Sequence, residues 1–363
     1  MQIVYSNASY PQNDTRGKSA KIRQIVDTSL AMEHKVTLWK RDGHASAPRL
    51  PVGRLARLRA LRKMDAILVL IEATPHHTCR YGLAPYRQVL NNPVMAWEFN
   101  SVPEFLGILG RSKADIQRSI QGFRSFAPGC DLAICVSNAM AEYVQDRLGV
   151  KRVMTIPNGS DPDLFNPDVT PVRRVVRSPD QLNVAWIGSA ELSWHNFALM
   201  SQAAEILWQR GKGAQIAFHL IGSHFGAMRD MPPNIFYYGG DDYLQIPHWL
   251  AAMDVGLCLY HPGVADYNSP LKLFDYMSSG LAVIGTIQPQ VCEVFQQLGR
   301  PDLAVPPDDP GVLADLLWQF AQDRPLVKNL GLANRQLVLD HYNWRRAVKE
   351  LFAALDAIHQ ERG

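Results

Sequence analysis

Lys272 and Asp275 stand three residues apart in Ser269-Pro270-Leu271-Lys272-Leu273-Phe274-Asp275-Tyr276-Met277-Ser278-Ser279-Gly280, a pattern that predicts a short helix with a cation at its start. Ser269 is a good N-cap, Pro270 suits the first helical position, and Gly280 suits the C-terminal stop. A lysine in the first turn opposes the helix dipole. An anion at the helix N-terminus removes that conflict, because the free N–H groups, the dipole and Lys272 then converge on it. Asp275 is expected on the same face, where it would accept hydrogen bonds from hydroxyls of the same ligand. An anion beside a polyol describes a sugar nucleotide. The bland alternative is a surface helix with one mismatched lysine, a defect of only about 0.3–1 kcal/mol.

The run Ser-Pro-x-Lys-x-x-Asp-Tyr-Met-x-x-Gly, followed by the apolar Leu281-Ala282-Val283-Ile284, resembles the donor site of GT-B glycosyltransferases of the retaining, family-four type. The resemblance implies that Ser269, Pro270, Leu271 and Lys272 hold a diphosphate and that Asp275 holds the ribose. Two further segments resemble the same family: Pro157-Asn158-Gly159-Ser160-Asp161 with Phe165, and Ala304-Val305-Pro306-Pro307-Asp308 with Tyr342-Asn343-Trp344. The likeness is strong from about residue 130 onward and weak before it.

Two departures from the family pattern stand out. In Ile187-Gly188-Ser189-Ala190-Glu191-Leu192-Ser193-Trp194-His195-Asn196, Gly188 permits close backbone approach, but Ser-Trp-His-Asn stands where the family has an arginine and a Lys-Gly pair. His195 is the candidate donor there, weighed evenly against a structural loop histidine. The family's paired carboxylates, eight residues apart, would put the first at Tyr267, with Asp266 adjacent as a substitute.

In the first half, Arg16, Gly17 and Lys18 open a helix after the first strand without any GxGxxG fingerprint, and with Lys21 they are candidate cleft residues. A solvated basic helix start is the equal alternative. Glu98 and Asn100 end another apolar strand, a plausible acceptor site with Glu98 among the catalytic candidates. His76 and His77 are neighbours in an extended segment and cannot both face one metal, so His76 is read as an acceptor contact or a plain loop residue. Arg54, Arg57, Arg59, Arg62 and Lys63 flank Leu55, Leu58 and Leu61. This pattern reads first as a sheet-covering helix and second as a contact for anionic membrane.

The elements that must position these residues follow from the hydrophobic pattern. Short continuous apolar runs at 2–6, 66–71, 94–99, 132–136, 184–187, 216–221, 255–259 and 282–284 alternate with helical segments, the mark of parallel sheets covered on both faces. The expected fold class is α/β, GT-B, with two doubly wound Rossmann-like domains facing a central cleft. The boundaries read as an acceptor domain at 1–168, a proline-marked basic linker at 169–180 and a donor domain at 181–343. A closing helix at 344–363 is laid back on the first domain by the resemblance.

The 363 residues, 47% of them hydrophobic, suffice for two cores, and no apolar run is long enough for a transmembrane helix. The start lacks the basic and apolar regions of a signal peptide. Five scattered cysteines read as reduced cytosolic thiols, with no structural metal expected. Residues 1–180 carry 25 Lys and Arg against 16 Asp and Glu, so the first half is the basic one and is expected to meet something anionic. The reading is a cytoplasmic retaining hexosyltransferase of polysaccharide biosynthesis, possible peripheral membrane contact included. Its partners are an NDP-sugar and a glycan, glycolipid or small hydroxyl acceptor; no nucleic acid, metal or other cofactor is expected. The alternatives are a nucleotide-sugar-binding subunit without turnover and a GT-B sugar-nucleotide epimerase, the latter disfavoured by the Ser-Pro-Leu-Lys motif.

Overall fold

The computed structural model describes residues 1–6, 17–39, 47–51, 53–172, 175, 180–223 and 231–362. The chain forms two compact units. The first gathers Met1–Asn158, Tyr267–Ser269 and Trp344–Gly363; the second gathers Gly159–Asp266 and Pro270–Asn343.

Six described strands build the first sheet: β1 Gln2–Ser6, β2 Lys35–Leu38, β3 Ala66–Ile71, β4 Val94–Phe99, β5 Leu132–Cys135 and β6 Val153–Thr155. They pair in parallel in the order β2-β1-β3-β4-β5-β6. Every residue of β3 and β4 is buried, Glu98 included. That fits strands covered by helices on both faces. Ser112 and Asp115 form a capping box that starts the helix Lys113–Phe126. Ser137 caps Asn138–Leu148, which ends at Gly149 in a left-handed conformation. The helix Trp344–Gln360 buries Trp344, Val348, Leu351, Phe352 and Leu355, and His34 stacks flat on Phe352 at 3.6 Å.

The second sheet comprises β7 Leu182–Ser189, β8 Ile216–Ser223, β9 Ile235–Tyr237, β10 Val255–Cys258, β11 Ala282–Thr286 and β12 Ala304–Val305. Its order is β12-β11-β10-β7-β8-β9, all parallel. The chain starts in the middle at β7, runs outward to β9, then returns to β10 on the other side of β7. The topological switch therefore lies between β7 and β10, and ligands of open α/β sheets bind at the carboxyl ends of the strands there.

The passage between units falls at Asn158–Gly159, ten residues before the expected boundary at 168. Residues 159–168 are tied into the second unit: Ser160 N–H donates to the Tyr342 carbonyl (2.9 Å), Phe165 is fully buried in the second core, and the Phe165 carbonyl accepts from Ser278 Oγ (2.7 Å). The expected linker is likewise engaged where described, with Val172 N–H on the His248 carbonyl at 3.0 Å.

Candidate functional site

The predicted helix spans Leu271–Ser278, and Pro270, in extended conformation, precedes it with no side-chain cap. Ser269 is not the N-cap. Asn158 takes it instead, donating its backbone N–H to Ser269 Oγ (3.1 Å) and its Nδ2 to the Ser269 carbonyl (2.6 Å). The helix start is thus left with backbone N–H groups that no side chain of its own covers. Gly280, at φ 76°, ends the helix in the left-handed conformation that favours glycine. Leu271 is half-buried and Pro270 buried.

Lys272 is the second residue of this helix and is half-buried. Its Nζ lies 3.3 Å from His195 Nε2, 5.1 Å from the Trp186 ring centre and 5.2 Å from that of Tyr260. Among the described residues it makes no ion pair. Burial lowers its pKa to about 8. Trp186 lies on β7 and Tyr260 two residues beyond β10, so the ammonium sits at the switch point of the second sheet. Gly188 makes room for it: a Cβ there would stand 3.0 Å from His195 Cε1 and 3.1 Å from Lys272 Nζ. Gly222, paired with Gly188 across β7 and β8, has still less space, since its Cβ would meet the Gly188 carbonyl oxygen at 1.6 Å.

His195 is 9% exposed. Its Nδ1 is 2.8 Å from the Ser189 carbonyl. Burial and the neighbouring Lys272 ammonium lower its pKa to about 3, so the ring is neutral at physiological pH. The loop that carries it is pinned by an antiparallel bridge to Tyr260. Asn196 pins it further, capping the helix Phe197–Gln209 and donating to the Pro307 carbonyl.

Asp275 does not share the surroundings of Lys272. It is 6% exposed, and its carboxyl accepts from Ser160 Oγ at 2.7 Å and, more distantly, from Tyr243 OH at 3.5 Å. Burial raises its pKa to about 7, against the lowering effect of those two hydroxyls. The two side chains have different partners: strand ends for Lys272, the Ser160 segment for Asp275.

The other candidates are dispersed. Asp266 accepts from the Gly263 N–H (2.9 Å) and shapes its own turn. Tyr267 belongs to the first unit, where its carbonyl accepts from Ser137 Oγ (2.7 Å) and its ring meets Tyr143 edge-on. Glu98 was expected at an open strand end. It is instead 5% exposed, paired with Lys21 Nζ at 2.7 Å, and accepts from Tyr5 OH. Lys21 also donates to Asn100 Oδ1. An apolar sheet closes around this charged pair, and Asn100 serves the pair. His76 caps the turn His77–Gly82 through Thr78. Arg16 lies outside the described residues; Gly17 and Lys18 open the helix Gly17–Ala31, and their side chains lie outside the described residues too.

Trp186, Tyr260, Gly222, Ser160 and Tyr243 are site residues the sequence reading missed. Only Gly222, following the apolar strand 216–221, carried a local signal, as the glycine partner a Gly188 turn needs.

The chain matches the family Glycosyl transferases group 1 over residues 181–323 and Glycosyltransferase Family 4 over residues 100–164. Its residues 181–323 belong to the group 1 glycosyltransferases. A Bacillus subtilis protein described as a glycosyltransferase of teichuronic acid biosynthesis is 25% identical over 178 residues, which are 45% of this chain and 42% of that protein. The match thus spans less than half of that relative. Among solved structures, sucrose-phosphate synthase from Thermosynechococcus elongatus aligns with a TM-score of 0.69 at 17% identity, covering 99% of this chain and 100% of that one. HepE from Anabaena, in complex with UDP, aligns with a TM-score of 0.69 at 13% identity over 98% of this chain and 100% of that one. In complex with UDP-glucose it aligns at 0.66 with 14% identity and the same coverage. The fold is therefore GT-B, and Lys272, His195 and Gly188 all lie within the matched group 1 segment.

Proposed function

We propose that this group 1 glycosyltransferase transfers a hexose, with retention, from a nucleoside diphosphate sugar to a hydroxyl of a glycan, glycolipid or small acceptor, in polysaccharide biosynthesis. The observation that carries the reading is the Lys272 ammonium at the switch point: a half-buried cation held by rings, without a carboxylate partner among the described residues. A diphosphate supplies the missing charge. Breaking the bond between the sugar and the diphosphate leaves the electron pair on a phosphate oxygen, and the new bond forms from the acceptor hydroxyl oxygen to the same sugar carbon as the hydroxyl proton passes to the departing phosphate. A cation and free helix N–H groups aimed at that oxygen stabilise the charge as it develops. Uridine is the base to test first, because HepE has been solved with UDP and with UDP-glucose.

The reading is tested with a thermal-shift panel of UDP, GDP, ADP and dTDP without added metal, followed by assay of nucleotide release from the matching sugar donor. Binding raises apparent stability. A panel with no shift, or a shift only with magnesium or manganese, refutes the site. Tight binding without transfer or donor hydrolysis by any sugar favours the non-turnover subunit.

Contact with anionic lipid is a second reading, supported by Leu55. It is 73% exposed on the helix Arg54–Leu61, beside exposed Arg54 and Arg59, whereas Leu61 alone of that helix is buried. Co-sedimentation with phosphatidylglycerol vesicles should occur at low salt and fall as salt rises. No binding at low salt rejects it.

A further inference from the structure

The pairing of His195 with Lys272 has a direction that chemistry fixes. A carbonyl oxygen only accepts hydrogen bonds, so the 2.8 Å contact to Ser189 requires the hydrogen on His195 Nδ1. The lone pair is then on Nε2, which faces the Lys272 ammonium at 3.3 Å and accepts from it. Both ring nitrogens are thereby engaged, and neither is left to donate to a ligand.

Lysine has a flexible four-carbon stem and a point charge, so its aim must come from its surroundings. Trp186 and Tyr260 attract the cation through their ring faces but give it little direction. Among the described residues, His195 gives the one directional bond. The imidazole is itself held by the Ser189 carbonyl and by the bridge between its backbone and Tyr260. Of the three ammonium hydrogens, one is committed to Nε2, and among the described residues nothing else takes the other two, which are left for a ligand.

We propose that His195 is a positioning residue: a neutral acceptor that fixes the Lys272 ammonium toward the diphosphate in place of a second cation. This rests on the reading of Lys272 as a diphosphate ligand. Gly188 belongs to the device, since a Cβ there would press on both partners.

Conservative variants separate this role from mere support of the loop. His195→Gln places an amide oxygen near the Nε2 position, whereas His195→Asn keeps a donor for Ser189 but its shorter side chain leaves the amide oxygen short of the Nε2 position. By calorimetry with the nucleoside diphosphate that the panel identifies, His195→Asn should weaken binding about tenfold and His195→Gln less than threefold. In a Lys272→Ala background, neither change should weaken it further. Long-range proton–nitrogen spectra of the ligand-free protein labelled at histidine should show the Nδ1–H tautomer, with an Nε2 signal that moves on Lys272→Ala. If Lys272→Ala abolishes binding while His195→Asn binds as the wild type does, the positioning role is overturned and the diphosphate reading stands. If His195→Asn weakens binding equally with and without Lys272, the imidazole acts on the ligand or the loop, and the proposal fails. If the wild type binds no nucleoside diphosphate, the diphosphate reading fails and takes the proposal with it.

Discussion

Ser160 Oγ donates a 2.7 Å hydrogen bond to the buried carboxyl of Asp275, joining residues 115 positions apart within the second unit. The bond stabilises the charged form, yet burial outweighs it, and the pKa rises to about 7. An acid that is half-protonated near neutrality is a group whose charge the fold resists.

That resistance predicts a pH-dependent stability. In the unfolded chain Asp275 titrates near ~3.9. Between there and about 7 the folded protein holds the extra proton. Its contribution is therefore complete below the unfolded pKa and is lost as pH rises through 7. The Asn variant lacks this slope. Urea unfolding at pH 5 and pH 8 should show wild type losing on the order of 2–3 kcal/mol relative to Asp275→Asn. Equal slopes would mean that the carboxyl is solvated.

Lys272→Ala should lower nucleotide release on the order of 10²–10³-fold. It should leave unfolding free energy within about 1 kcal/mol, because a first-turn cation opposes the dipole. In the wild type, kcat/KM should hold below pH 8 and fall above it, as the free enzyme's Lys272 loses its proton. A bound diphosphate holds that proton, so kcat should decline at higher pH than kcat/KM does. His195, Trp186, Tyr260 and Cys258 surround the ammonium, and none of them is an anion near pH 8. A kcat/KM profile flat to pH 10 would remove Lys272 from the binding step.

The two facing glycines should behave differently. Gly222→Ala sets a methyl against a backbone oxygen at 1.6 Å and should destabilise the second unit by at least about 3 kcal/mol. Gly188→Ala meets side chains that can move, at 3.0–3.1 Å, though at a φ of 148°. It should fold with a loss of about 1–3 kcal/mol and bind nucleotide weakly. Circular dichroism melts and calorimetry on both variants check this, and normal nucleotide affinity in Gly188→Ala would argue against the His195–Lys272 arrangement.

Glu98 and Lys21 are a buried pair, so removing one partner strands the other. Lys21→Met should cost about 3–5 kcal/mol. Glu98→Gln, which retains polar partners for Tyr5 and Lys21, should cost less and should keep transfer activity at a temperature where it is folded. Loss of turnover in Glu98→Gln with an unchanged melting temperature would return Glu98 to the chemistry.

The alternation of apolar runs located the strands, and the Ser-Pro-x-Lys pattern located the short helix that begins with Lys272, because both signals lie within a dozen neighbouring residues. What stayed hidden depends on partners distant in sequence. Ser269 reads as an N-cap locally, but Asn158 claims its hydroxyl and its carbonyl. Glu98 reads as a carboxylate leaving a strand, but Tyr5 and Lys21 enclose it. His195 was a candidate without a task until its distance to Lys272, 77 positions away, gave it one. The early start of the second unit was hidden for the same reason, since Phe165 and Ser160 are held by residues from 275 onward.

The helix Trp344–Gln360 completes the first unit with residues made after every segment of the second. During synthesis the second unit can gather all its segments, Gly159–Asp266 and Pro270–Asn343, before Trp344, Leu351 and Phe352 exist to cover the first. The order of translation is thus the reverse of the order of completion. Until that helix has emerged, the seat that Phe352 shares with His34 stays open to water and to chaperones.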